Sequence, residues 1–118
     1  MPHPVSNVKH VCLDLLLEAL GTAKTRYIAC PVSGTVREIY VVADVATDDN
    51  NAVTTAIGGT AITGGAFALT TGNTVAGTVV RATPTALNTV RKGQSLSATT
   101  DGGGAAGQVR VTFLIEQE

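Results

Sequence analysis

The chain has 118 residues and a formal net charge of -1, and 14% of its residues are charged. This length predicts one domain with one hydrophobic core, and the lack of a basic field argues against nucleic-acid binding. Aromatic residues make up only 3% and tryptophan is absent, so the stacking surfaces of most sugar-binding proteins are not expected either.

The first ten residues predict an N-terminal arm, since they contain two prolines and no hydrophobic periodicity. Neither this start nor any later stretch predicts a signal peptide or a membrane span. Prolines favour extended backbone, which a partner's open sheet edge can accept, so we expect the arm to be a docking element. Its candidate contact residues are Pro2, His3, Pro4, Val5, Ser6, Asn7, Val8 and Lys9. Residues 11–118 are expected to form one β-sandwich domain.

Alternation of apolar and polar residues predicts a first strand over residues 10–19. Its leucines also suit a helix, which Gly21 could cap. Residues 25–30 predict a second strand, and the turn-forming residues 31–34 predict a hairpin leading into a third. This third strand, over residues 35–44, becomes continuously apolar and is expected to be central and covered on both faces.

The rest of the chain is divided into further short strands by two glycine pairs, at 58–59 and 64–65, by Pro84 and by a predicted turn at Lys92-Gly93. Because no stretch predicts a helix long enough for a crossover, the pattern indicates an all-β fold. We expect a jelly-roll-like β-sandwich of eight or nine short antiparallel strands with an extended N-terminal arm. The later strands are predicted at residues 52–57, 60–62, 66–70, 74–82, 94–100 and 108–116.

Metal-ligand types occur in two places without completing a known pattern. His10, Cys12 and Asp14 share one face of the first strand, but no fourth ligand is indicated, so a solvated or interface face is preferred. A second group gathers oxygen ligands but misses the spacing and closing glutamate of an EF-hand, so a polar turn is preferred there. That group consists of Asp44, Asp48, Asp49 and Asn50. No metal or other cofactor is therefore predicted.

The residues that could carry other chemistry also favour structural roles. The glycine-rich stretches 58–65 and 101–107 lack the Lys-Ser or Lys-Thr pair of a phosphate-binding loop and predict hairpin turns. Ser33 lacks the Gly-x-Ser-x-Gly elbow of a serine hydrolase. Cys12 and Cys30 show no paired spacing and are expected to be reduced and half-buried. The sequence thus predicts no catalytic site, and the chain is not expected to be an enzyme.

The order of the motifs resembles small capsid decoration, or cement, proteins of tailed bacteriophages. The matching segments are residues 30–36 running into 39–42, then 82–86, and 91–93 followed by 100–103. The resemblance implies a jelly-roll-like protein that binds the major capsid protein on the outer capsid surface and reinforces the joints between capsomers. It further implies a symmetric homo-oligomer, a trimer rather than a dimer, that is made in the host cytoplasm and carried on the virion. On this interpretation the arm contacts the capsid.

Two alternatives remain at this stage. One is a carbohydrate-binding or receptor-binding β-sandwich module of a tail fibre or cell-surface protein, and the other is a small jelly-roll enzyme domain. A sugar binder should present a shelf of aromatic rings, whereas a jelly-roll enzyme needs clustered histidines, which the sequence lacks. The aromatic residues, which are few and expected in the core, are Tyr27, Tyr40, Phe67 and Phe113.

Overall fold

The computed structural model describes residues 9–18, 23–45, 51–102 and 107–118. These residues form ten β-strands and contain no helix. The strands are β1 (Lys9–Leu17), β2 (Lys24–Ala29), β3 (Gly34–Val45), β4 (Asn51–Ile57), β5 (Thr60–Ala61), β6 (Phe67–Leu69), β7 (Val79–Ala82), β8 (Thr89–Val90), β9 (Ser95–Thr100) and β10 (Gln108–Gln117).

The strands build two five-stranded antiparallel sheets that pack as a sandwich. The first sheet has the order β1-β10-β3-β7, with β8 also paired to β3, and the second has the order β2-β9-β4-β5, with β6 also paired to β4. The pairs are nested along the chain and alternate between the sheets: β1 with β10, β2 with β9, β3 with β7, and β4 with β5 and β6. This is the arrangement of a jelly roll, so the predicted fold class is confirmed, although the described residues form ten strands where eight or nine were predicted.

The predicted hairpin at residues 31–34 is wrong, because β2 and β3 lie in different sheets. The glycine that suggested a turn is instead required by strand pairing. A Cβ atom on Gly34 would lie 2.2 Å from the backbone oxygen of Glu116, so only glycine allows β3 and β10 to approach this closely. The segment therefore carries the chain from one sheet to the other.

The first strand begins earlier than predicted. Lys9 and His10 pair with Gln117 and Glu116, so these last two residues of the predicted arm belong to β1. β10 extends far enough for its backbone to pair with both residues, and this pairing stabilises them as part of β1. The rest of the arm, residues 1–8, lies outside the described residues.

The predicted strand over residues 74–82 is also longer than the observed β7, which starts at Val79. A turn at residues 75–78 accounts for the difference, since the Thr78 amide donates a hydrogen bond to the Val75 carbonyl at 2.9 Å, and Asn73 supports a further turn just before it. The Asn73 side chain accepts a hydrogen bond from the Thr70 amide at 2.7 Å and donates one to the Ala68 carbonyl at 3.0 Å. Such local side-chain bonds replace ladder hydrogen bonds and favour a turn.

The core lies between the sheets and consists of inward-facing aliphatic residues with two phenylalanines, Phe67 and Phe113. Tyr40 is only half-buried and Tyr27 is 69% exposed, so the expectation that all four aromatic residues are internal is wrong for the tyrosines. Val42 is also half-buried on the outer side of β3, so the central strand is covered fully on one face only. The largest fully buried side chains are Phe113, Leu17, Ile39, Leu69, Leu96 and Ile115.

Candidate functional site

The outer face of the first sheet is charged. Three exposed or half-exposed ion pairs join neighbouring strands across this face. Each pair of this kind contributes only about 0 to 1 kcal/mol to the free energy of unfolding. The Tyr40 hydroxyl also donates a hydrogen bond to the Glu38 carboxylate. The ion pairs are Arg37–Glu116 (2.7 Å), Arg81–Glu38 (3.5 Å) and Arg110–Asp44 (3.8 Å).

A fourth ion pair joins the two sheets at one side of the sandwich. Arg26 of β2 contacts Glu18, just after β1, at 2.6 Å. The hydrogen bond and charge of Arg26 lower the pKa of the Glu18 carboxyl from its usual value. Both side chains are exposed, so the pair links the edges without forming a buried site.

The outer face of the second sheet has no charged side chain among its described residues. Strand register places small residues side by side across it, including the row Thr25, Thr99 and Thr54, whose first two hydroxyls lie 2.8 Å apart. A protein that covers this face desolvates no charge, which lowers the free-energy cost of contact. The face consists of Thr25, Tyr27, Ala29, Ala52, Thr54, Ala56, Ala61, Ala68, Ser95, Ser97 and Thr99.

One end of the sandwich is where β1 begins. Lys9 pairs there with Gln117 near the end of β10, and Gln117 pairs with Gly34 at the start of β3. Gly34 in turn pairs with Val90 of the short strand β8. Both ends of the described chain therefore lie at this end of the first sheet.

Hydrogen bonds attach the turns of the second sheet to the same end. Ser33 accepts two bonds, one on its carbonyl from the Glu118 amide at 3.0 Å and one on Oγ from the Lys92 amide at 2.9 Å. The turn between β4 and β5 is held by the bond from the Gly58 amide to the Ser95 carbonyl at 2.8 Å. The predicted turns at Gly58 and at Lys92 are thereby confirmed.

Leu87 has an unusual backbone at this end. Its φ is +54°, and its side chain is 62% exposed. The preceding carbonyl, of Ala86, accepts the Thr63 amide at 3.0 Å, and the following carbonyl, of Asn88, accepts the Val36 amide at 2.8 Å. Hydrogen bonds to Thr63, in the segment after β5, and to Val36 of β3 thus fix both neighbours, and the leucine between them adopts a left-handed conformation that costs about 1 to 3 kcal/mol.

A shallow cleft of about 360 Å³ opens beside Leu87. The Gln94 side chain forms one wall, and its Oε1 atom accepts the Arg91 amide at 2.7 Å. This volume is at the lower end of the range for small-ligand pockets and suits one or two apolar side chains of a partner. The lining residues are Ile57, Thr60, Leu87, Thr89 and Gln94.

Three exposed cations surround this end, namely Lys9, Arg91 and Lys92. None of them forms an ion pair with another residue in the described ranges. We call the combination of residues 57–60, residues 87–94 and Lys9 the Leu87 end. It joins an exposed apolar side chain, a cleft and three cations that have no ion-pair partner in the described ranges.

The sequence-predicted contact residues fall mostly outside the described structure. Lys9 is the first residue of β1, whereas residues 2–8 lie outside the described residues. His10, Cys12 and Asp14 do share the exposed face of β1, and Asp14 accepts a hydrogen bond from the Thr112 hydroxyl at 2.8 Å. Across the described ranges, no three His, Cys, Asp or Glu side chains come together in a way that could hold a metal ion.

The other sequence candidates have separate positions. Asp44 lies at the far end of β3, where its carboxylate accepts a hydrogen bond from Gln108 at 3.3 Å, whereas residues 48–50 lie outside the described residues. Both thiols are free, but the expected half-burial is wrong, since Cys12 is exposed and Cys30 is buried. Ser33 supports a turn through the two bonds given above. The structure therefore does not bring together those of these candidates that it describes, namely Asp44, Cys12, Cys30 and Ser33.

Sequence reasoning missed the Leu87 end and the uncharged face. No residue pattern marks a leucine with positive φ, because tertiary hydrogen bonds produce that conformation. The uncharged face did have a signal, since alternate positions in residues 25–29, 52–56 and 95–99 are Ala, Ser, Thr or Tyr. Recognising it requires knowing which strands are neighbours. In the part of the chain that the structure covers, there is also no helix with the length and apolar character needed to cross a membrane.

Comparison with known proteins finds similarity in structure only. No family model matches the sequence, and no curated protein matches it. A chain of the cyanophage Pam1 capsid asymmetric unit aligns over 100% of this chain and 93% of that chain, with 19% identity and a TM-score of 0.55. The two chains are therefore of similar length and share a fold.

Two further structures match over parts of much longer chains. One is a chain of the complex of Aeromonas sobria serine protease with its chaperone, with 6% identity and a TM-score of 0.53, over 99% of this chain and 28% of that chain. The other is the MgGH51 α-L-arabinofuranosidase, with 14% identity and a TM-score of 0.52, over 97% of this chain and 23% of that chain. The same sandwich thus occurs as a minor part of larger proteins.

Proposed function

We propose that the chain is a non-enzymatic structural protein of a tailed-phage virion, which binds the outer capsid surface and stabilises the joints between capsomers. The observation that carries this proposal is the end-to-end structural match with a chain of similar length from the Pam1 capsid asymmetric unit. The matches to the protease complex and the arabinofuranosidase involve about a quarter of those chains, so they support a proposal for this chain less directly.

The surface of the sandwich is consistent with a role in binding other proteins. The charged outer face of the first sheet keeps one side hydrated, whereas the uncharged outer face of the second sheet can be covered without desolvating an ion. Compact antiparallel sandwiches with short strands also leave few open edges for unwanted pairing. These features suit a protein that adds to a preformed shell.

We further propose that the chain acts as a closed homo-oligomer, a trimer rather than a dimer, with the major capsid protein as its partner. The uncharged face, with Thr54 near its centre and Tyr27 toward its edge, supports a contact between copies. In a closed symmetric oligomer the contact face of every copy is covered, and the symmetry matches the symmetric positions that an icosahedral shell offers. On this proposal the chain is made in the host cytoplasm and carried on the virion, and residues 2–9, which are the N-terminal arm and the first residue of β1, contact the capsid.

The direct test uses shells assembled from the major capsid protein of the same genome. The purified chain should sediment with the shells at a fixed, saturable stoichiometry and should raise the temperature at which they break. A bovine serum albumin control at the same concentration measures trapping. Failure of the chain to bind these shells would reject the proposed function.

The carbohydrate-binding alternative receives less support from the structure. Among the described residues, Tyr27 is the one strongly exposed aromatic ring, whereas sugar-binding surfaces commonly stack a sugar on several rings. An array of immobilised glycans provides the corresponding test. Specific retention of the chain on such an array would favour this alternative.

A further inference from the structure

We propose that the Leu87 end is the surface by which the sandwich docks end-on onto its shell partner, and that it receives an acidic surface carrying an apolar side chain. This inference rests on the proposed function and adds the orientation of the chain and the chemistry of the contact. It is carried by three features that meet at one end: a strained exposed leucine, a cleft beside it and three free cations.

The conformation of Leu87 argues that its side chain has a role outside the fold. Glycine or asparagine would adopt a φ of +54° at lower cost, and an exposed leucine gains little stability from burial within the chain. The hydrogen bonds that fix this backbone involve main-chain atoms of its neighbours and do not require leucine. The leucine is therefore costly to the isolated molecule, and contact with a partner would compensate that cost.

The cleft provides room for an apolar contact. Ile57 and Leu87 supply its apolar atoms, while Thr60, Thr89 and Gln94 supply polar atoms at its walls. At the Gln94 wall, the side chain accepts a hydrogen bond from the Arg91 amide, which favours one position of that side chain. An incoming apolar side chain would meet a preformed surface, and little conformational entropy would be lost on binding.

The charge of this end selects an acidic partner. Lys9, Arg91 and Lys92 are exposed and lack ion pairs in the described structure, so a carboxylate-bearing surface would complement them. Lys92 and Arg91 flank the wall of the cleft, since their turn ends at Gln94. Charge and cleft therefore act on the same partner surface.

A second copy of this chain is a poor occupant of the same end. The described carboxylates are already engaged in ion pairs or hydrogen bonds, apart from Glu118, which lies at this same end. Two Leu87 ends facing each other would bring like charges together. The engaged carboxylates are Glu18, Glu38, Asp44 and Glu116 in ion pairs, and Asp14 and Asp101 in hydrogen bonds.

The test measures cosedimentation of variants with shells assembled from the major capsid protein of the same genome. Leu87→Asn should reduce affinity about tenfold or more, since burial of a leucine side chain accounts for a change of that order. Its unfolding midpoint should equal or exceed that of the unchanged protein, because asparagine accepts positive φ. Arg91→Ala with Lys92→Ala should also weaken binding and should reduce the dependence of affinity on ionic strength.

Matched controls lie at the opposite end of the sandwich. Val75 is 57% exposed and neighbours the contact between Gly77 and Ala43, so Val75→Asn removes a comparable apolar surface there. Lys24 pairs with Thr100 at that end, so Lys24→Ala removes a cation of the same kind. Both controls should bind shells with unchanged affinity.

The outcomes separate this inference from the proposed function. If the unchanged chain binds and the Leu87-end variants bind equally well, end-on docking is wrong while the proposed function stands. If the unchanged chain does not bind, the proposed function fails and this inference fails with it. The free chain could instead associate with itself. If the double variant Arg91→Ala with Lys92→Ala abolished that self-association, the occupant of the Leu87 end would be a second copy, and the proposal would be wrong. A loss of folding in Leu87→Asn, together with normal binding by the double variant, would also overturn the proposal.

Discussion

Asn88 binds the backbone of Val36 twice, and this links the segment before β8 to β3, an inner strand of the first sheet. Its carbonyl accepts the Val36 amide at 2.8 Å, and its side-chain Nδ2 donates to the Val36 carbonyl at 2.9 Å. Val36 is fully buried in the core, so the pair also fixes how the Leu87 end sits against β3.

Replacing Asn88 with alanine removes the second of these bonds and should destabilise the fold by about 1 kcal/mol, the usual net value of such a hydrogen bond. Asn88→Asp keeps the shape but lacks the donor, so it should lose a similar amount. Urea unfolding followed by circular dichroism measures both. Unchanged midpoints in the two variants would mean that water replaces the bond without cost.

The close approach of β3 and β10 predicts a strict requirement for glycine at position 34. Gly34→Ala would place a methyl group 2.2 Å from the Glu116 carbonyl oxygen, so the strands must separate, at a cost of about 1 to 3 kcal/mol. The matched control is Gly72→Ala, where the nearest atom to a new Cβ lies at 3.8 Å. Thermal unfolding should show a lower midpoint for the first variant and little change for the second. Equal midpoints would contradict the steric argument.

These examples show why the fold class was predictable while its connections were not. Period-two alternation in β1, β3 and β10 arises because each strand has one face in the core. It can therefore be recognised in the local sequence without knowing which strands are paired. Sheet membership depends on partners distant in sequence, which is why Gly34 suggested a local turn. Lys9 likewise belongs to β1 because it pairs with Gln117, and the sequence around Lys9 does not indicate this pairing.

The candidate site was less predictable than the fold. The exposed cations Arg91 and Lys92 could be recognised as polar turn residues, but their position beside a cleft depends on the bond between the Gly58 amide and the Ser95 carbonyl, which joins segments distant in sequence. Leu87, with its positive φ, lies between main-chain bonds to two segments distant in sequence, one at Thr63 and one at Val36. Long-range geometry of this kind leaves no signature in the order of the residues.

The uncharged outer face of the second sheet predicts how the homo-oligomer responds to charge. Thr54→Lys places a cation near the centre of that face, and burying it between copies would be costly, so the assembled mass should fall toward that of a single chain. Thr54 is exposed, so the fold should be kept. Thr112→Lys on the charged face of the first sheet is the control. Light scattering measures the masses, in solution and on shells, and unchanged assembly of Thr54→Lys would exclude this face as the contact.

The start of β1 at Lys9 defines a clean truncation of the N-terminal arm. Deleting residues 2–8 retains Lys9 and its pairing with Gln117, so it removes none of the described strand pairs. The unfolding midpoint should therefore change little. Shell binding should weaken strongly, because an extended arm with prolines can add backbone hydrogen bonds at a partner's sheet edge. Extending the deletion through His10 also removes the first two pairs of β1 and should lower the midpoint, which separates the loss of a contact from the loss of a strand. If the shorter deletion binds shells with full affinity, the arm is not a docking element, and binding would then rest on the sandwich alone.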